Sequence, residues 1–179
     1  MIPGTYRTVF KLEGAKGGAC SGFFWYHDDE SEIDIEIVTP GDSLVNGTIN
    51  YTLHPSLGQD GQPIPNATLS VPLAQSRLSP ETFHEYRFDW HPQRGVEYHL
   101  DGHLVHTIVR NIRTQGGNLQ LKLWADGNKW WSGTPSTTDV VMTVKSIDAY
   151  YNTSSSDAAW VKACAAAGGP SSKTICTIK

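Results

Sequence analysis

The chain has 179 residues and a formal net charge of −4, with 18% charged residues, 17 Gly, 10 Pro, 7 Tyr and 6 Trp. That length suits one packed domain and that composition suits many strands and turns. The charge leaves no basic footprint for nucleic acid, no basic amphipathic stretch is offered to a membrane, and no apolar run approaches the roughly 18 residues of a span.

Apolar and β-branched runs bounded by Gly, Pro, Asn and Asp predict strands over residues 6–12, 22–26, 32–38, 48–54, 67–72, 84–91, 95–100, 103–109, 119–125 and 140–151. So many short strands predict an all-β sandwich. Leu100-Asp101-Gly102-His103 carries the turn signal of a tight hairpin. After the last strand, Ser156 or Asp157 can cap a short C-terminal helix over 158–167, ended by Gly168-Gly169-Pro170. Residues 1–152 are expected to form the sandwich and 153–179 a helix and tail of the same domain. No internal repeat is present.

The third strand carries the chemistry. In Glu32-Ile33-Asp34-Ile35-Glu36 the side chains alternate, so Glu32, Asp34 and Glu36 share one face and Ile33, Ile35 and Ile37 the other. Three like charges in line repel one another, and a purely structural strand is expected to carry Thr, Ser or mixed signs instead. Cleavage of a glycosidic bond uses such a set, because it needs one ionised and one protonated carboxyl. At about 3.3 Å per residue the Cα atoms of Glu32 and Glu36 lie roughly 13 Å apart, and side chains leaning together can close to the ~5 Å of a retaining enzyme. The charge of Asp34 between them is expected to raise the pKa of one neighbour and keep it protonated.

With Gly22-Phe23-Phe24-Trp25-Tyr26 before it, this strand resembles the signature of glycoside hydrolase family 16, which comprises β-jelly-roll β-glucanases (licheninases, laminarinases) and cell-wall transglycosylases. Phe83-His84-Glu85-Tyr86-Arg87-Phe88-Asp89-Trp90, Tyr98-His99-Leu100-Asp101-Gly102, His106-Thr107 and Leu121-Lys122-Leu123-Trp124 are similar to further family segments, so the resemblance runs from about residue 6 to 152. It implies a concanavalin A-like jelly roll of two antiparallel sheets, with Glu32 as nucleophile, Asp34 as electrostatic helper and Glu36 as acid/base. It also implies sugar contacts from Trp25, Asn50, His84, Trp124 and Trp131. Glu30 and Lys122 depart from the Trp and Asn that related licheninases carry there, which leaves the glucan linkage open. The family has further N-terminal strands for which this sequence shows no counterpart. They contribute to a structural calcium site, so calcium is implied by resemblance alone and no other cofactor is expected.

Four N-x-[ST] acceptors, at Asn46, Asn50, Asn66 and Asn152, favour a secreted, extracellular or cell-wall glycoprotein, although no signal peptide is legible. A glycan on Asn50 would obstruct the groove that the resemblance places there. Cys164 and Cys176 can close a small disulfide loop, and Cys20 is left either to pair with a cysteine in the missing strands or to be a buried thiol. The seven His are scattered without metal-ligand spacing, so no metal site is expected, and no motif supports phosphoryl or acyl transfer. The expectation is a monomeric retaining endo-β-glucanase acting on 1,3- or mixed-linkage β-glucan. A glucan or chitin transglycosylase using the same residues and a non-catalytic glucan-binding lectin are the alternatives.

Overall fold

Ten strands follow one another in the computed structural model, which describes residues 3–14, 16–76, 78–91, 94–110, 116–151, 162 and 166. They are β1 (Gly4–Glu13), β2 (Cys20–Asp28), β3 (Ser31–Val38), β4 (Thr48–Leu53), β5 (Thr68–Pro72), β6 (His84–His91), β7 (Gly95–Leu100), β8 (His103–Ile108), β9 (Asn118–Trp124) and β10 (Val141–Tyr151). Each matches an expected strand to within a few residues at its ends. The expected helix over 158–167 lies outside the described residues except for Lys162 and Ala166, which are helical. Cys164 and Cys176 also lie outside them, as does Asn152.

The strands form two antiparallel sheets of five, in the orders β10-β1-β6-β7-β8 and β5-β4-β3-β2-β9. Their inner faces bury an aromatic layer. Phe10 stacks on Tyr86 with ring centroids 4.2 Å apart, Phe23 meets Phe88 at 5.1 Å and Trp25 meets Trp90 at 4.5 Å. Ile33, Ile35 and Ile37 complete this core from β3, as the period of two requires. Each such side chain contributes about 1.5–3 kcal/mol by leaving water, so the inward face of β3 is strongly fixed. A one-residue slip would turn the acids inward, and burial of the three isoleucines opposes it. The Tyr98 hydroxyl also ties the sheets together, donating to the Thr52 carbonyl at 2.5 Å.

Candidate active site

Register decides what faces the acids. On β2, Tyr26, Phe24 and Gly22 lie directly across from Glu32, Asp34 and Glu36; on β4, Thr52 and Asn50 lie across from Asp34 and Glu36. One strand further out, Gln120, Lys122 and Trp124 of β9 lie beside Phe24, Gly22 and Cys20. All of these share the outer face of the β3 sheet. At Gly22 a Cβ would come within 1.9 Å of the Phe24 ring, so the ring lies over the glycine beside Glu36 and reaches Trp124 at a centroid separation of 6.0 Å. A cleft of about 260 Å³ opens on the other side of Glu36, lined by Asn50, Thr52, His54, Ser56, Thr68, Ser70 and Trp131.

Trp131 is carried by a braced loop. Asp42 accepts from both the Thr134 backbone N–H and the Thr134 hydroxyl at 2.7 Å, and the Leu44 N–H donates to the Lys129 carbonyl at 2.9 Å. The Trp131 side chain lies beside the Cys20 thiol. Cys20 is fully buried and is a free thiol; burial and the nearby Glu36 push its pKa up, so it stays neutral. Of the two loop indoles, Trp131 lines the cleft while Trp130 is 74% exposed and does not.

The three acids sit in unequal environments. His54, at the end of β4, places Nε2 2.8 Å from Asp34 Oδ2, and its backbone N–H donates to the Glu32 carbonyl at 2.9 Å. Asp34 is only 2% exposed; burial and then the neighbouring Glu32 push its pKa well up. The contact between the two carboxyls raises Asp34 and lowers Glu32. Asp34 Oδ1 is buried without a hydrogen-bond partner among the described residues. Glu32 is raised by burial, while His54, the Asp34 hydrogen bond and Lys122 oppose the rise. Glu36 is pushed to about 8, first by burial, then by Asp34 and Glu32, with His54 opposing. At neutral pH the row therefore holds a protonated Glu36 beside Glu32, whose rise on burial is opposed by His54, Asp34 and Lys122. Burial is the largest cause, ahead of the Asp34 charge on which the sequence argument relied.

Of the residues that the resemblance assigned to sugar, Asn50 lies across from Glu36 on the cleft wall, Trp124 lies on the same face at the sheet edge, and Trp131 lines the cleft. Asn50 is only 2% exposed, which takes its sequon out of reach of a glycosylating enzyme once the chain is folded, whereas Asn46 and Asn66 are exposed. Trp25 is a correction. It faces inward, is fully buried against Trp90 and cannot touch a ligand in the cleft; Phe24 is its neighbour on the acid face. His84 is a second correction. It lies on β6 in the other sheet and bonds Asp101 Oδ2 through Nδ1 at 2.6 Å, with Thr82 on Nε2 at 2.8 Å, clamping the β7–β8 hairpin rather than meeting the acids. The histidine beside the acids is His54, which the sequence reading passed over although it shares the parity of Asn50 and Thr52 along β4.

Two groups among the described residues bring three metal-ligand atoms within 4.8 Å of one another: Glu32, Asp34 and His54 in the row, and Asp89, Glu97 and His99 on the other sheet. Calcium takes six to eight oxygen ligands, and each group contains an imidazole, so neither suits the calcium that the resemblance implied.

The family model described as glycosyl hydrolases family 16 matches residues 2–145. No curated protein matches the sequence. Among solved structures, a β-glucanase of Bacillus licheniformis is similar at 25% identity and a TM-score of 0.57, covering 80% of this chain and 64% of that one. Apo Crh5 transglycosylase is similar at 23% identity and a TM-score of 0.60, covering 82% and 62%. An immunostimulatory antigen and pseudo β-1,3-glucanase of Mycobacterium tuberculosis is similar at 21% identity and a TM-score of 0.52, covering 80% and 61%. The chain thus spans slightly less than two thirds of these structures' length. The sandwich is a jelly roll of the kind they share.

Proposed function

Because this chain belongs to glycosyl hydrolase family 16, we propose that it is a retaining β-glucan-active enzyme in which Glu32 is the nucleophile and Glu36 the acid/base. The observation that carries this reading is the division of protons along one strand face: Glu36 keeps its proton at neutral pH, while Asp34 and His54 favour the carboxylate at Glu32. In the first step Glu32 attacks the anomeric carbon and the Glu36 proton passes to the leaving glycosidic oxygen. Glu36, now ionised, takes a proton from water as the water oxygen displaces Glu32 from the anomeric carbon, which restores both groups. Asp34 does not bond to the sugar; its hydrogen bond to Glu32 lowers the charge density on the nucleophile and aims it.

The substrate is 1,3- or mixed-linkage β-glucan. A ribbon of pyranose rings fits the outer face of the β3 sheet, where Trp124 and Trp131 offer aromatic surface to the apolar faces of the rings and Asn50, Thr52 and Ser70 offer polar contacts. Exposed sequons at Asn46 and Asn66 support secretion to the extracellular space or cell wall. Mass spectrometry of products from mixed-linkage glucan, 1,3-glucan and chitin oligosaccharides in ¹⁸O water, beside Glu32→Gln, tests the reading. Short labelled oligosaccharides that vanish in the variant are expected. Unlabelled products longer than the substrate would replace hydrolysis by transglycosylation. Binding without any product, on every substrate, would leave a lectin.

A further inference from the structure

A second chemical cluster lies on the outer face of the other sheet, away from the acid row. Phe88, Trp90, Val96 and Tyr98 face the core, so parity sends Arg87 and Asp89 of β6 and Glu97 and His99 of β7 outward. Register sets Asp89 directly across from Glu97 and Arg87 across from His99. Two carboxylates opposed across an antiparallel pair repel one another. The Arg87 guanidinium reaches one of them, with Nη2 3.3 Å from Asp89 Oδ2.

His99 has no evident reason to be buried here. It is 8% exposed; among the described residues its Nδ1 has no hydrogen-bond partner and its Nε2 meets only the carboxylates of Asp89 and Glu97, and Asp89 Oδ1 beside it is likewise buried without a partner. A buried imidazole beside two carboxylates, with no well-aligned hydrogen bond among the described residues, is a costly arrangement, and in a native protein it points to a missing water or ion. Its Nε2 is aimed between the carboxylates, 3.3 Å from Asp89 Oδ2 and 3.9 Å from Glu97 Oε2. A tetrahedral ion with bonds of about 2.0 Å holds its ligand atoms roughly 3.3 Å apart, which the first distance meets and a small rotation of the exposed Glu97 side chain would meet for the second.

We propose that Asp89, Glu97 and His99 bind a divalent transition-metal cation, with zinc the best match to one imidazole and two carboxylates. The fourth position faces solvent, since Asp89 and Glu97 are partly exposed. Arg87 Nη2 and His99 Nε2 both lie 3.3 Å from Asp89 Oδ2, so the ion shares that oxygen with the guanidinium. The ion cross-links β6 to β7 and satisfies His99 Nε2. It takes no part in the cleft, which belongs to the other sheet. Sequence spacing hid this site, because residues 89, 97 and 99 form no metal motif and meet only through strand register.

The test is titration of the full 179-residue chain, freed of metal with EDTA, with zinc chloride by isothermal calorimetry, and thermal unfolding with and without zinc. Glu97→Gln, His99→Gln and, as a control for the acid row, His54→Gln are compared. One ion bound with a rise in Tm is expected, with affinity reduced more than about tenfold in Glu97→Gln and His99→Gln and unchanged in His54→Gln. Glu97 is partly exposed, so its variant keeps the test valid if His99→Gln does not fold. No binding at millimolar zinc, or binding that both site variants retain, would overturn the site.

Discussion

Glu36 and Glu32 differ in what they must do to the same bond, and their variants separate the roles. Glu36→Gln removes the proton that the leaving oxygen needs, so kcat/KM on glucan is expected to fall by about 10²–10⁴. A dinitrophenyl glycoside, whose leaving group needs no proton, should lose little of its glycosylation rate in Glu36→Gln and nearly all of it in Glu32→Gln; equal losses in both would refute the assignment. In the intact chain kcat/KM should fall with an alkaline limb near pH 8, where Glu36 loses its proton. His54 is assigned a positioning role, because its Nε2 lies 2.8 Å from Asp34 Oδ2. Its charge lowers both Glu32 and Glu36, so His54→Gln should move both limbs of the pH profile upward, with kcat reduced about tenfold through the loosened Asp34. A residue that only supported the fold would change the height of that profile and leave its limbs in place.

Within a strand, adjacent residues have opposite fates, and this makes β2 a test of where the groove lies. Trp25→Leu empties space in the aromatic core and should cost about 2–4 kcal/mol in urea unfolding, with KM for glucan unchanged. Trp131→Ala should do the reverse, costing about 1 kcal/mol or less of stability and raising KM about tenfold through a lost ring contact. The same contrast shows what the sequence could reveal. The inward isoleucines and outward acids of β3 were legible because a period of two is a local property of the chain. Whether Phe24 or Trp25 joins the acids depends on the register that puts Phe24 across from Asp34, and nothing local to β2 encodes that pairing. His84 differs for a related reason, because β6 belongs to the other sheet, where His84 bonds Asp101 of the next hairpin, and sheet membership is not local to β6. His54 is legible by parity from Asn50 within the expected strand 48–54, although β4 itself ends at Leu53.

Taken across the whole molecule, a row of carboxyls held protonated by burial should shape stability as well as rate. A glutamate ionises at about 4.5 in the unfolded chain, whereas Glu36 in the folded chain holds its proton to about 8. Between those values the folded state binds the extra proton, so the Glu36 contribution is fully present below the unfolded value and is lost as pH rises through the folded one. Glu32 and Asp34 are shifted in the same direction, and the lowered Asp89 acts oppositely, losing its contribution only as pH falls through its own range. Stability is therefore expected to peak in mild acid and decline toward pH 8. Glu36→Gln removes the ionisation, so it should stabilise the chain by about 2–3 kcal/mol at pH 7 and by almost nothing at pH 4. Urea unfolding of both chains across that range reads the difference directly. If the gap between them stays constant with pH, Glu36 titrates as it would in water and the protonated acid at neutral pH is lost as an explanation. If the gap opens between pH 4 and pH 8, the variant that gains stability is the one that loses catalysis, and the strained charge of the cleft is the common cause of both.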